Sequence, residues 1–252
     1  MKTNQAIGIL DGGFEGINIF NRLVKDYPYE RFIYINDLDN YPYEGKEEKE
    51  ILNLIKKNTE TLISQNVSLI LVVNNSIIEY GLEYFNSLDV KILKISDFII
   101  DYVNESYEHK NVGLLAKEYI VKANIYQKNI KYNHLYSIPS DTLDDIIINK
   151  EIRTAKSFKA VDEAFLNSKA RDYNILIVTD SYLNNLRIEF SEYVKCDEIM
   201  DLAMIVSKKM KEFLPNIGRI KKRGIILSTL SKKEFLDKVY LLDIKIKYQM
   251  IA

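Results

Sequence analysis

A short apolar run followed by three glycines within five positions constrains this chain more than any other feature. The run Ala6–Leu10 has the unbroken apolar character of a strand buried on both faces of a parallel sheet. Asp11 ends the run, and Gly12, Gly13 and Gly16 permit a tight turn before residues with helical apolar spacing. The segment predicts a strand, a turn and a helix. It places Asp11 at the carboxyl end of the strand, where ligands bind in open α/β sheets.

The backbone of this turn admits two interpretations. Free N–H groups at the start of a helix bind carboxylates and phosphates, so the turn is a candidate anion site. Alternatively, the glycines meet only the steric demands of a tight strand-to-helix turn, and the turn taken alone favours this interpretation slightly. The spacing departs from the G-x-G-x-x-G pattern, so it does not predict a dinucleotide site.

Apolar runs of strand length alternate with helical patterns along the chain. The clearest runs are Ser68–Val73 and Asn174–Val178. This alternation predicts an α/β fold with parallel sheets and right-handed crossovers. The pattern restarts near Asn111, which predicts two similar α/β domains, residues 1–96 plus 208–252 and residues 97–207.

Three elements in the second half of the chain carry weaker signals. We expect a helix over Thr154–Lys169, a short strand over Tyr193–Cys196 and a last strand over Lys245–Met250. The last elements of the chain are expected to return to the first domain.

Composition excludes several function classes. The 35 basic and 36 acidic residues give a net charge of −1, which argues against a nucleic-acid or anionic-membrane partner. The apolar runs are too short to span a bilayer and no secretion signal is recognisable, so we expect a cytoplasmic protein. Cys196 is the single cysteine, and we interpret it as structural. His109 and His134 lack ligand spacing, so neither a metal site nor a cofactor is predicted.

Polar residues follow three of the predicted strands. They are Asp11, the segment Asn74-Asn75-Ser76 and the segment Thr179-Asp180-Ser181. Their order and spacing, together with Asp37 and Pro42-Tyr43, resemble the glutamate racemases of the aspartate/glutamate racemase superfamily. The resemblance covers nearly the whole chain and is weaker after residue 111.

The sequence departs from the family pattern at the positions of the family's catalytic residues. The family's third strand ends in Cys-Asn-Thr or Cys-Asn-Ser, so Asn74 stands where the first catalytic thiol belongs. The later motif Gly-Cys-Thr-His-Tyr-Pro corresponds to residues 178–183, which places Thr179 at the second thiol and Ser181 at the histidine. In the family's Ala-Thr-Glu-Gly-Thr segment, here Ala116–Ile120, both threonines are absent.

Charge at the expected site also departs from the pattern. The family's Asp-Ser-Gly corresponds to residues 11–13, with Gly12 in place of the serine, and Glu44 replaces the glycine of Pro-Tyr-Gly. With Asp37 and Asp180 nearby in the pattern, the site would be poorly matched to glutamate and better matched to a cationic, neutral or metal-bound ligand. The alternative is that the old cleft is partly closed and these acids are solvated.

The resemblance implies a fold, an assembly and a ligand class. The fold is two flavodoxin-like domains with parallel sheets facing across a central cleft, with the C-terminal segment packing on the first domain. The assembly is a homodimer. The ancestral ligand is a small amino dicarboxylate.

The replaced thiols bear on catalysis. The family's enzymes invert Cα without a cofactor: one thiolate removes the α-proton and a thiol on the opposite face returns one. A cysteine pKa near 8.5 is readily lowered for this work, whereas an asparagine amide has no useful basicity and a threonine hydroxyl is too weak without activation. The sequence therefore predicts a racemase-like protein that has lost racemase activity and acts by binding a ligand or a protein.

Two other functions stay open. One is an altered-chemistry isomerase of the same superfamily that acts on a small carboxylate or amino acid, with Asp11 and Asp180 as acid/base groups. The other is a structural or assembly protein. The residues expected to line a ligand site are Asp11, Gly12, Pro42, Tyr43, Asn74, Asn75, Ser76, Thr179, Asp180 and Ser181.

Overall fold

Parallel strands alternate with helices throughout the described chain. The computed structural model describes residues 5–43, 45–166, 168, 170, 172–214, 220–239 and 248–251, the last four by their backbone. The strands are β1 Ala6–Leu10, β2 Phe32–Asn36, β3 Val67–Val72, β4 Lys91–Lys94, β5 Asn111–Ala116, β6 His134–Pro139, β7 Asp172–Val178, β8 Lys195–Ile199, β9 Gly224–Ser228 and β10 Tyr248–Ile251. The helices are α1 Ile17–Asp26, α2 Glu48–Ser64, α3 Asn75–Asn86, α4 Ile95–Ser106, α5 Glu118–Ala123, α6 Ile125–Asn129, α7 Leu143–Ile148, α8 Ala155–Leu166, α9 Arg187–Tyr193, α10 Leu202–Met210 and α11 Lys232–Val239, with a 3-10 helix at Ser181–Leu186.

The chain divides into two compact units. Unit 1 comprises Met1–Ile95 and Val206–Ala252, and unit 2 comprises Ser96–Ile205. The sequence predicts domain boundaries at 1–96 plus 208–252 and at 97–207, and these stay a prediction.

The sheet of unit 1 has six parallel strands in the order β10-β9-β2-β1-β3-β4. All five residues of β1 are buried because the strand lies inside the sheet and is covered on both faces. Gly8 pairs in register with Ile33 on one side and Ile70 on the other. The carboxyl ends of β1, β2 and β3 therefore lie at the same edge, which brings Asp11, Asp37 and Asn74 to that edge.

The sheet of unit 2 repeats this arrangement with four parallel strands in the order β6-β5-β7-β8. In both sheets the first strand of the unit lies between its second and third strands, which is the flavodoxin-like order. Lys117, Ser140 and Thr179 follow β5, β6 and β7 directly. The prediction of an α/β fold with two parallel-sheet units is confirmed.

Some elements differ from the sequence prediction. Tyr193 ends the helix α9 instead of opening a strand, and β8 begins at Lys195. The short α9 has only Glu189 and Phe190 buried, so its sequence lacks a helical apolar stripe. Helix α8 ends at Leu166, and the expected continuation to Lys169 reaches residues outside the described part of the chain. Of the predicted strand Lys245–Met250, residues 245–247 also lie outside it.

No helix among the described residues combines the length and the apolar character needed to cross a bilayer.

The space around Gly16 is too small for any side chain. A Cβ there would lie 2.3 Å from Val73 Cγ2 and 3.2 Å from Asp11 Oδ2, whereas a Cβ at Gly8 would lie 3.3 Å from its nearest neighbours, the flexible ends of two side chains. We expect Gly16→Ala to lower the free energy of unfolding by about 1–3 kcal/mol because of overpacking, and Gly8→Ala to lower it less. Urea denaturation of both variants tests this, and equal losses would contradict it.

Candidate functional site

The carboxylate of Asp11 closes the glycine-rich turn between β1 and α1. Its Oδ1 accepts a hydrogen bond from Gly13 N at 3.1 Å, and its Oδ2 accepts one from Gly16 N at 2.7 Å. The Tyr34 hydroxyl donates a third bond to Oδ2 at 2.7 Å. Two backbone N–H groups that made the turn a candidate anion site are therefore bound by the oxygens of the chain's own carboxyl group and are already satisfied without an external anion.

A second buried carboxyl group lies against the first. Glu15 is 3% exposed and is hydrogen-bonded to Asp11, which is fully buried. Two carboxyl groups form a hydrogen bond only when one of them carries a proton. Burial, followed by repulsion from Glu15, raises the pKa of Asp11 well above its usual range. The pair therefore favours a protonated form, and burial beside Asp11 also raises the pKa of the Tyr34 hydroxyl.

Aromatic rings cover the glycines of this turn. A Cβ on Gly12 would lie 3.1 Å from the Tyr43 ring, and a Cβ on Gly13 would lie 2.7 Å from the Tyr41 ring. Tyr43 is 1% exposed, while Pro42 is exposed. The rings occupy the space that side chains at these two positions would need. Glu44, whose charge was expected here, lies outside the described residues.

Asp37, after β2, is also bound within unit 1. Its Oδ1 accepts a hydrogen bond from Asn40 Nδ2 at 2.7 Å. Its Oδ2 accepts bonds from the Tyr43 hydroxyl at 3.0 Å and from Asn58 Nδ2 at 3.3 Å. Desolvation and the nearby Asp37 carboxylate raise the pKa of Tyr43 far above its usual range, so this hydroxyl stays a donor.

Asn74, after β3, serves as the N-cap of α3. Its Oδ1 accepts a hydrogen bond from Ile77 N at 3.0 Å, and its backbone is extended, as N-cap residues are. Asn75 and Ser76 form the buried first turn of the same helix. The side chain of Asn74 is thus used to satisfy a backbone donor that the helix leaves open.

Unit 2 has its own set of predicted site residues after β7. The Thr179 hydroxyl donates to Leu115 O at 3.3 Å, and Thr179 N donates to the same oxygen at 3.1 Å, so this residue is tied to β5. Asp180 is buried, and Ser181 opens the 3-10 helix. The strand therefore ends in polar side chains, as predicted, with the threonine hydroxyl bound to the neighbouring strand.

One cluster of unit 2 was not singled out from the sequence. Lys117 Nζ lies 3.1 Å from Asp144 Oδ2, and the Tyr182 hydroxyl donates to Asp144 Oδ1 at 2.5 Å. Lys117 is 5% exposed and Tyr182 is fully buried. A lysine directly after a buried strand was the available signal, but the acidic partner 27 positions away in the sequence could not be identified without the fold.

The single cysteine lies away from the ends of these strands. Cys196 is half-buried in β8, and its thiol donates to Glu198 O at 2.8 Å. Burial is the main cause that raises the pKa of this thiol, which disfavours the nucleophilic thiolate.

The predicted residues thus form one group in each unit. In unit 1, Tyr43 contacts Gly12 and is hydrogen-bonded to Asp37, and Asp11 and Asn74 end neighbouring strands. In unit 2, Thr179, Asp180 and Ser181 are consecutive and buried.

Known proteins that are similar in sequence to this chain are glutamate racemases. Glutamate racemase from Lactobacillus acidophilus is 22% identical over 204 residues, which is 78% of this chain and 75% of the relative. Glutamate racemase 1 from Caldanaerobacter subterraneus subsp. tengcongensis is 25% identical over 248 residues, 94% of this chain and 91% of the relative. No family model matches the chain.

Solved structures agree with these relatives at the level of the fold. The glutamate racemase of Francisella tularensis in complex with D-glutamate has a TM-score of 0.83 at 18% identity, over 99% of this chain and 98% of that one. The aspartate racemase of Picrophilus torridus has a TM-score of 0.62 at 15% identity, over 83% and 94%. This chain is similar in sequence to glutamate racemases and has the fold of the glutamate and aspartate racemase structures. The resemblance read from the strand ends is thereby confirmed.

The buried carboxyl pair of Asp11 and Glu15 makes the stability of the protein depend on pH. The raised pKa of Asp11 means that the folded protein retains a proton that the unfolded chain loses above about pH 4. Stability is therefore greatest below that pH and falls as the pH rises towards the pKa of folded Asp11. We expect Glu15→Gln to reduce this fall, because it removes the repulsion from Glu15.

Urea denaturation from pH 4 to pH 8 measures this effect. The advantage of Glu15→Gln over the native chain should grow with pH, whereas exposed Glu163→Gln should show none. Parallel stability curves for native protein and Glu15→Gln would show that the pair does not hold the proton.

The helix-capping role of Asn74 predicts a loss of stability on truncation. Asn74→Ala should lower the free energy of unfolding by about 1 kcal/mol because Ile77 N loses its acceptor, and Asn74→Asp should retain the cap. Asn86→Ala, at the exposed far end of the same helix, is the matched control. Chemical denaturation decides the matter, and an Asn74→Ala variant as stable as the control would argue against the capping role.

Proposed function

We propose that this protein no longer racemises amino acids by the thiol mechanism of its superfamily and acts by binding. The proposal rests on the hydrogen bonds that Asn74 and Thr179 form. Each stands at the place that the family pattern gives to a catalytic thiol, and each is hydrogen-bonded to backbone within its own unit.

A proton-transfer residue must be able to gain and lose a proton at the reacting carbon. The amide of Asn74 has no such proton chemistry at neutral pH, and the Thr179 hydroxyl donates its proton to a carbonyl oxygen instead of to a base that would activate it. One positioned acid or base contributes roughly 10²–10⁴-fold to a rate. Without two such groups, the rate of racemisation falls below a useful level.

The single thiol of the chain does not replace them. Cys196 is bonded to a backbone carbonyl in β8, and its raised pKa opposes formation of a thiolate. This supports a role in packing for the thiol.

Binding is the activity that the retained features support. Buried polar side chains still follow the strands at one edge of each sheet, which is where α/β folds hold ligands. The Francisella tularensis racemase structure is a complex with D-glutamate. By analogy, we propose that this chain binds a small amino acid or carboxylate. The alternative form of binding is to a protein partner. A cytoplasmic homodimer is part of the same proposal.

A carboxyl-based isomerase is the second candidate, favoured by the raised pKa of Asp11. A carboxyl group whose pKa is raised can serve as an acid or base near neutral pH. Against this role stand the three hydrogen bonds that hold the Asp11 carboxylate in the turn.

Hydrogen exchange at Cα tests both candidates. Purified protein is incubated in D₂O with D- and L-glutamate and with D- and L-aspartate, and loss of the α-proton signal is followed by NMR. We expect no loss beyond that seen with heat-denatured protein, whereas the Lactobacillus acidophilus racemase serves as the positive control. Exchange that Asp11→Asn abolishes would replace the proposal with the carboxyl-based isomerase.

A further inference from the structure

Three adjacent strands of unit 2 each run into a buried polar residue. Strand β5 pairs with β6 as far as Ala116 opposite Pro139, and with β7 as far as Leu115 opposite Val178. Continuing this register places Ser140, Lys117 and Asp180 side by side at the carboxyl edge. They are 0%, 5% and 3% exposed. The three residues lie directly beyond the paired strand ends, so their backbones follow one another in a row along the edge of the sheet.

The ammonium at the centre of the row is held in place from one side. Asp144 accepts from Lys117 Nζ and is itself held by the fully buried Tyr182 hydroxyl. Among the buried residues of the described chain, Lys117 is the only lysine or arginine. A buried ammonium fixed in this way is a preorganised charge for an anionic group.

Ser140 gives a separate indication of a ligand. Its Oγ is fully buried and has no hydrogen-bond partner within the described part of the chain. Buried hydroxyl groups in folded proteins nearly always have a partner, and one without calls for an explanation. A ligand acceptor atom beside Lys117 supplies that explanation.

Asp180 gives the other end of the row the opposite charge. Neighbouring strands lie about 4.8 Å apart, so the backbone positions that carry a hydroxyl donor, a cation and an anion follow one another at about that spacing. An α-amino acid carries its carboxylate and its ammonium on neighbouring atoms with matching polarity. The row and the ligand are complementary in both sign and order.

We propose that Ser140, Lys117 and Asp180 bind an α-amino acid that has a single carboxylate. Ser140 and Lys117 hold the carboxylate, and Asp180 holds the ammonium. The inference rests on the proposed function, because it assumes that the chain acts by binding and specifies what is bound.

The charges of the cluster set this specificity. Lys117 is offset by Asp144, and Asp180 leaves the cluster with a formal charge of −1 when all three are ionised. A neutral or cationic amino acid leaves this charge unchanged or reduces it. A dicarboxylic amino acid, or a phosphate dianion, adds negative charge that no second buried cation within the described residues offsets.

Binding of small probes to purified full-length protein tests the site. Calorimetric titration is performed with L- and D-alanine, L- and D-lysine, L- and D-glutamate, propionate and ethylamine. We expect alanine or lysine to bind more tightly than glutamate. Propionate lacks the ammonium group of alanine and ethylamine lacks its carboxylate, and we expect each to bind at least tenfold more weakly than alanine.

Ser140→Ala is the decisive variant because it deletes a hydroxyl that has no partner within the described chain. It should weaken amino-acid binding about tenfold while leaving the melting temperature of the free protein unchanged or higher, an outcome that a structural role for the hydroxyl would not give. Lys117→Met should weaken binding further. Lys122→Met, which removes an exposed lysine paired with Glu118, is the matched control and should bind as the native chain does.

Three results would overturn the site. They are the absence of binding by every monocarboxylic amino acid, equal binding by Ser140→Ala and native protein, and tighter binding of glutamate than of alanine. None of them bears on the loss of racemisation, which Cα exchange measures separately. Conversely, Cα exchange would refute the proposed function even where Ser140→Ala weakens binding as expected.

Discussion

The buried carboxyl group of Asp11 is the interaction on which the first strand-to-helix turn depends. It takes up the N–H groups of Gly13 and Gly16, which would otherwise be unpaired at the start of α1. Its other neighbours follow from this: Tyr34 donates to it, and Glu15 shares its environment. A buried carboxyl group is stable only while its hydrogen-bond donors stay in place, so the turn and the carboxyl group fix each other.

The two sheet edges differ in their buried charged groups. In unit 1, Asp11 and Asp37 receive their hydrogen bonds from nearby backbone, tyrosine and asparagine groups, and aromatic rings cover the glycines. In unit 2, the Ser140 hydroxyl has no partner within the described chain, and the buried Lys117 follows the neighbouring strand β5. Unit 2 differs in having the buried ammonium of Lys117 and not in having an unpaired polar atom, since Asn36 Nδ2 of unit 1 is also buried without a partner among the described residues.

The sequence was sufficient for the strands and for the residues at their ends. Unbroken apolar runs identified β1, β3 and β7 because strands buried on both faces have no other pattern. It was insufficient for contacts between distant residues. Tyr34 reaches Asp11 from 23 positions away, and Tyr182 reaches Asp144 from 38, and no local pattern encodes either meeting. Helix α9 was missed for a related reason, since tertiary packing and not an apolar stripe defines it.

Asn74 and Thr179 both suit the local structure in which they stand, and this bears on function. Residues at catalytic sites commonly violate the local rules of structure, because chemistry requires groups that the fold would not otherwise choose. Here the opposite holds: asparagine is among the best N-cap residues, and the Thr179 hydroxyl, directly after β7, bonds the neighbouring strand. A thiol is a weak acceptor and would cap α3 less well. Asn74 and Thr179 therefore serve the scaffold as they stand, and this agrees with the proposal that neither of them transfers protons.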